Sequence, residues 1–210
     1  LGNATTFTYD VVGRKLSETD PKGRTVDYTY NAANHLLTVS EPLGKVTSYG
    51  YDAVGNRTTI TNPRGGVTTR AYDAKDRLVS VTDPLSNTIH YGYDEVDNQT
   101  VITNALGYAT HYTYDALNRR TGITDALGNA TAYAYDPNGN RVSVTDANGN
   151  TTQYTYDSVN RLDSVTDAEG GTVTYDYDAN GNRVSLTDAN DHTATYDYDA
   201  LDRLSSVTDP

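Results

Sequence analysis

Residues 135 to 146 read YDPNGNRVSVTD, and residues 177 to 188 read YDANGNRVSLTD. Asp136, Asn138 and Asn140 surround Gly139 with the D-x-N-x-N spacing of an oxygen-ligand calcium loop, without the distal Glu that completes an EF-hand. The same residues also make a turn with no ion: Asp and Asn side chains accept from nearby backbone N–H groups, and Gly supplies positive φ. Other chemistry is sparse. The four histidines are His35, His90, His111 and His192, and no Cys nucleophile or Ser-His-Asp set stands out. Asp recurs as a ladder, unlike the acid pair of a single active site. The expectation is therefore no enzyme and no cofactor, with calcium at Asp136, Asn138 and Asn140 as the metal alternative.

Composition narrows the elements that hold these residues. Only 36% of the 210 residues are hydrophobic; Cys, Met and Trp are absent, and 19 Tyr supply nearly all the aromatic surface. Tyr carries a hydroxyl and tolerates a wet edge, so a one-sided structure is expected. Without Cys there is neither a disulfide framework nor a thiolate metal site. The net charge of −12 argues against nucleic acid and anionic membranes, which demand a basic footprint. No apolar run is long enough to span a membrane as a helix.

Self-similarity organises everything else. Tyr9, Tyr30, Tyr51, Tyr72, Tyr93, Tyr114, Tyr135, Tyr156, Tyr177 and Tyr198 recur every 21 residues, with no insertion between them. The chain reads as a single array, 1–210, of ten repeats: 1–21, 22–42, 43–63, 64–84, 85–105, 106–126, 127–147, 148–168, 169–189 and 190–210. Its start at Leu1, with no Met and no signal-like segment, reads as a fragment of a longer array.

Each repeat opens on a run such as TTQYTYD at 151 to 157, where β-branched and aromatic residues alternate as in a half-buried strand. Four residues after each tyrosine stands Gly13, Asn34, Gly55, Asp76, Asp97, Asn118, Gly139, Asn160, Gly181 or Asp202. These are the three residue types that most readily accept positive φ, which marks a turn. A second β-branched run follows, RVSVTD at 141 to 146 for example, and then a second turn with Gly in eight of ten repeats. The structural residues are the ten repeat tyrosines with Gly55, Gly139 and Gly181. The expected fold is all-β: a repetitive β-hairpin array forming a continuous spiralled or solenoid-like sheet, two strands per 21-residue repeat.

The unit x-Y-D-x-x-G-[NR]-R/L-x-x-V-T-D-x-x-G resembles the tyrosine-aspartate repeat of the RHS/YD-repeat family of bacterial polymorphic toxins, insecticidal toxin complexes and teneurins. That resemblance implies a long β-sheet spiral, often a hollow shell around a toxic C-terminal segment. It also implies a DPxGL-like core motif at the shell's end; this chain has only DPLSN at 83 to 87, so cargo and cleaving residues are not expected within it. About twenty strands at ~4.8 Å spacing make a ribbon of roughly 95 Å, too short to close around a folded cargo. The expected function is a noncatalytic structural segment of a secreted or cell-surface protein, either the wall of a toxin shell or the body of an extracellular fibre or tube. Neighbouring repeats, copies of the chain and an encapsulated toxin are the expected partners, and a carbohydrate-binding adhesin surface is the alternative.

Sorting by parity uncovers a period of 42. Two residues past the positive-φ position, odd repeats carry Lys15, Arg57, Gln99, Arg141 and Arg183, and even repeats carry Leu36, Leu78, Arg120, Leu162 and Leu204. Either this records an old duplication, or odd and even hairpins differ in surroundings, with Leu on a buried side and Arg on a solvated one.

Overall fold

A computed structural model describes residues 4–210. Its contacts divide the chain into two units, one ending at Tyr108 and the other running from Ala109 to Pro210. The first unit holds β1 (Thr6–Tyr9), β2 (Lys15–Thr19), β3 (Thr25–Tyr30), β4 (Leu36–Glu41) and β5 (Lys45–Tyr51). It continues with β6 (Arg57–Thr61), β7 (Val67–Tyr72), β8 (Leu78–Thr82), β9 (Thr88–Tyr93) and β10 (Gln99–Thr103). Each of these strands pairs antiparallel with the next in sequence.

The second unit repeats the plan. It holds β11 (Ala109–Tyr114), β12 (Arg120–Thr124), β13 (Ala130–Tyr135), β14 (Arg141–Thr145) and β15 (Thr151–Tyr156). Then come β16 (Leu162–Thr166), β17 (Thr172–Tyr177), β18 (Arg183–Thr187), β19 (Thr193–Tyr198) and β20 (Leu204–Thr208). Consecutive strands again pair antiparallel. The fold is all-β, two strands to each repeat.

Register separates two faces. In the β15–β16 hairpin Tyr154 lies opposite Val165, and Tyr156 opposite Leu162, while Gln153 faces Thr166 and Thr155 faces Ser164. Because side chains alternate along a strand, rings and aliphatics line one face and small hydroxyls the other. The hydroxyl face is knitted across strands: Thr145 to Thr151 at 2.8 Å, Thr166 to Thr172 at 3.0 Å and Thr187 to Thr193 at 2.8 Å. A register shift just before each repeat tyrosine leaves one extra residue on the second strand of the hairpin, a bulge that recurs through both units.

The ring face is only half covered. No described residue is fully buried, and Tyr154, Val165 and Tyr156 are half-buried. Contacts within each unit run between strands adjacent in sequence, so each ring is covered by its row neighbours and no second layer completes the burial. Without a core, the turns and cross-strand side-chain rows must carry more of the stability.

One turn breaks the pattern. Every other described between-repeat turn opens on Asp or Asn, whose side-chain oxygen accepts N–H groups two and four residues ahead, as Asp167 does from Glu169 at 3.0 Å and Gly171 at 2.8 Å. Glu41 stands at that position in its own turn, and its longer side chain makes no such bond. The chain answers with a 3₁₀ turn over Pro42–Gly44, in which Leu43 takes φ 69° while 95% exposed. A left-handed conformation costs a non-glycine residue ~1–2 kcal/mol. Leu43→Gly is expected to stabilise the first unit by about 1 kcal/mol, measured as a higher denaturation midpoint.

Candidate functional site

The recurring feature is the turn after each repeat tyrosine. In the turn at 157–161, Asn160 N–H donates to the Asp157 carbonyl at 3.0 Å, and Asp157 N–H donates to the Arg161 carbonyl at 2.9 Å. This is the pattern of a three-residue hairpin loop ending on a left-handed residue. All ten positions selected for positive φ adopt it, including Asn160 at 65°, Gly55 at 102° and both Gly139 and Gly181 at 95°. The Asp157 carboxylate locks the loop: one oxygen accepts from Val159 and Arg161 N–H, each at 2.9 Å, and the other from Arg161 Nε at 2.6 Å.

At Asp136, one oxygen accepts Asn140 N–H at 2.8 Å and the other accepts Asn140 Nδ2 at 2.9 Å. The Asn140 amide, followed by the backbone N–H groups of Asn140, Asn138 and Gly139, holds the Asp136 carboxyl below its ordinary value against some desolvation. Asn138 is exposed at the tip with no side-chain bond among the described residues. Among those residues no three His, Asp or Glu side chains converge. The chain's own donors thus occupy both carboxylate oxygens of Asp136. The melting temperature is expected to be unchanged by excess chelator; a drop would make calcium a structural ligand.

The repeat tyrosines form a ladder of clips. Their hydroxyls reach back across the preceding repeat to strand-opening carbonyls: Tyr30 to Lys15, Tyr51 to Leu36 and Tyr93 to Leu78, all at 2.9 Å, and Tyr72 to Arg57 at 3.1 Å. In the second unit Tyr135 donates to Arg120 and Tyr177 to Leu162 at 2.9 Å, with Tyr156 to Arg141 and Tyr198 to Arg183 at 3.1 Å. Tyr9 closes β1 with 58% exposure, and Tyr114 closes β11 half-buried.

A second tie runs turn to turn. Arg161 Nη1 donates to the Asp178 carbonyl at 3.1 Å while its guanidinium lies 4.6 Å from the Tyr177 ring centre; Arg119 makes the same reach to Asp136 at 2.9 Å over Tyr135. Where the residue is Asn, its shorter amide instead finds the side chain at the next positive-φ position: Asn56 to Asp76 at 2.8 Å, Asn140 to Asn160 at 2.9 Å and Asn182 to Asp202 at 2.8 Å. So these Asn residues are followed by an oxygen-bearing residue, and Arg119 and Arg161 by Gly139 and Gly181, whereas Arg14 and Arg77 reach both the next turn's carbonyl and its side chain, Asn34 at 2.8 Å and Asp97 at 2.7 Å. His35 stacks on Tyr51 at 4.7 Å, and a Cβ on Gly55 would meet its ring at 2.9 Å.

This pairing follows the 42-residue alternation at most of the turns. Sequence reading missed it, although the signal is there in each residue five past a tyrosine and its counterpart one repeat later. The buried-versus-solvated division of Leu and Arg is not uniform: Arg141 is exposed, whereas Arg57 and Arg183 are half-buried like Leu162. Arg141 lies 5.1 Å from the Tyr154 ring centre, and Arg183 lies 6.0 and 4.7 Å from those of Tyr175 and Tyr196, on the same ring row as half-buried Leu162. Of the remaining histidines, His192 bonds Asp188 at 3.2 Å within its turn, and His90 and His111 are exposed on strands of different units.

The RHS Repeat family model matches residues 30–67, 72–107, 96–130, 121–151, 135–172, 156–193 and 177–210. No curated protein matches the chain. Among solved structures, TcdB2–TccC3 is similar at 17% identity over 98% of this chain and 13% of that one, with a TM-score of 0.74. TcdB2–TccC3–TEV is similar at 17% identity over 97% of this chain and 13% of that one, at 0.72. The Photorhabdus luminescens Tc holotoxin pore is similar at 16% identity over 97% and 18%, at 0.54. The chain spans less than a fifth of each of those chains, and at such identities the likeness is one of fold.

Proposed function

Because the chain belongs to the RHS repeat family, we propose that it is a noncatalytic stretch of the β-sheet wall of a large secreted protein, a shell that encloses a toxin. The observation that carries this reading is the likeness of nearly the whole chain, 98%, to 13% of TcdB2–TccC3. The residue chemistry supports it. Turn carboxylates are spent on the chain's own N–H groups, tyrosine hydroxyls on its own carbonyls, and guanidinium groups on neighbouring turns, which suits a load-bearing sheet whose stability accumulates through neighbour interfaces. Negative-stain images of the full-length native protein are expected to show compact hollow particles. Extended filaments would overturn the shell in favour of a fibre.

A further inference from the structure

Three Asn–Gly pairs sit in the array, Asn138–Gly139, Asn148–Gly149 and Asn180–Gly181, each at an exposed turn tip. This dipeptide carries its own reaction. The glycine amide nitrogen attacks the asparagine Cγ, a new C–N bond closes a succinimide, and ammonia leaves with the proton that nitrogen gives up. Water then opens the ring to aspartate or isoaspartate, so no further reactant is needed. Glycine permits the attack because no Cβ crowds its nitrogen.

In this fold all three nucleophiles are restrained alike. Gly139, Gly149 and Gly181 donate their N–H to the carbonyls of Asp136, Asp146 and Asp178 at 3.1, 3.0 and 3.1 Å, so each turn must open before its nitrogen can react. The electrophiles are not alike. Asn180 Nδ2 donates to Asp202 Oδ1 at 2.9 Å, beside the bond from Asn182 to the same oxygen at 2.8 Å. Asn138 and Asn148 have no side-chain hydrogen bond among the described residues.

We propose that Asn138 and Asn148 are the sites at which this protein deamidates, and that Asp202 guards Asn180 by pinning its amide across the gap between repeats. Asn138 is the internal control, because its turn matches that of Asn180 through Asn140, which bonds Asn160 at 2.9 Å. Modification has a mechanical consequence. Isoaspartate adds an atom to the backbone and breaks the hairpin loop, and a new carboxylate at position 180 would face that of Asp202.

The test is to incubate the intact chain at mildly alkaline pH and follow each tryptic site by mass spectrometry for amide-to-acid conversion. Asn138 and Asn148 are expected to convert several-fold faster than Asn180. Asp202→Ala should bring Asn180 up to the Asn138 rate, whereas Asp202→Asn, which retains an acceptor oxygen, should keep it slow. Equal rates at all three sites in the unmodified chain would overturn the proposal. So would Asp202→Ala that leaves Asn180 slow, or that accelerates all three sites together through general loosening.

Discussion

Below about pH 4 the array is expected to lose its cooperative β structure, while its melting temperature should barely change between about pH 7 and 5. Fourteen turn aspartates have carboxyls held below the ordinary value of 3.8. At Asp199 the Arg203 side chain leads, followed by backbone N–H groups of the loop; at Asp157 the Arg161 N–H leads. Folding favours the ionised form at each, so their stabilisation is complete above the unfolded value and drains away as pH falls through the lower folded values. These groups are half-buried or exposed, so each contributes little and salt weakens it. The effect becomes large because most of the described turns share it and no described residue is fully buried. Circular dichroism melts at stepped pH check this, and a transition that survives unchanged at about pH 2 would overturn it.

Tyr177→Ala is expected to cost about 2–3 kcal/mol, and Tyr177→Phe about 1 kcal/mol. Alanine removes a half-buried ring, its contact with Arg161 4.6 Å from the ring centre, and the 2.9 Å bond to the Leu162 carbonyl. Full burial of such a ring would place the loss at ~3–5 kcal/mol, and the missing second layer lowers it. Phenylalanine keeps the packing and loses only the hydroxyl, whose stranded carbonyl partner water can reach. Chemical denaturation of the intact array, comparing both variants with the parent, separates the terms. Equal losses would make the hydroxyl the dominant element of the ladder; a negligible loss for alanine would remove the ladder from the stability account.

Much of this was legible in the residues. The 21-residue period placed the tyrosines, and the restriction to Gly, Asn and Asp placed the left-handed turn position at each of the ten sites from Gly13 to Asp202, because backbone sterics act locally. Alternation in TTQYTYD likewise separated a ring face from a hydroxyl face. These features depend on a few neighbouring residues, so a single strand of text contains them.

Partnership at a distance was not legible. Nothing local says that the Tyr177 hydroxyl meets the carbonyl of Leu162, that Asn182 and Asn180 share one oxygen of Asp202, or that the Arg141 guanidinium lies over the Tyr154 ring. Those facts depend on which strands come side by side and on how far each side chain reaches across the gap. By itself the sequence determined the repeat, the strand-turn rhythm and the two-faced sheet, since backbone preference and period-two alternation act within one repeat. Only the tertiary structure decided that the ring face stays half-covered and that Arg and Asn link successive turns differently, because burial and reach exist only once repeats are laid against each other.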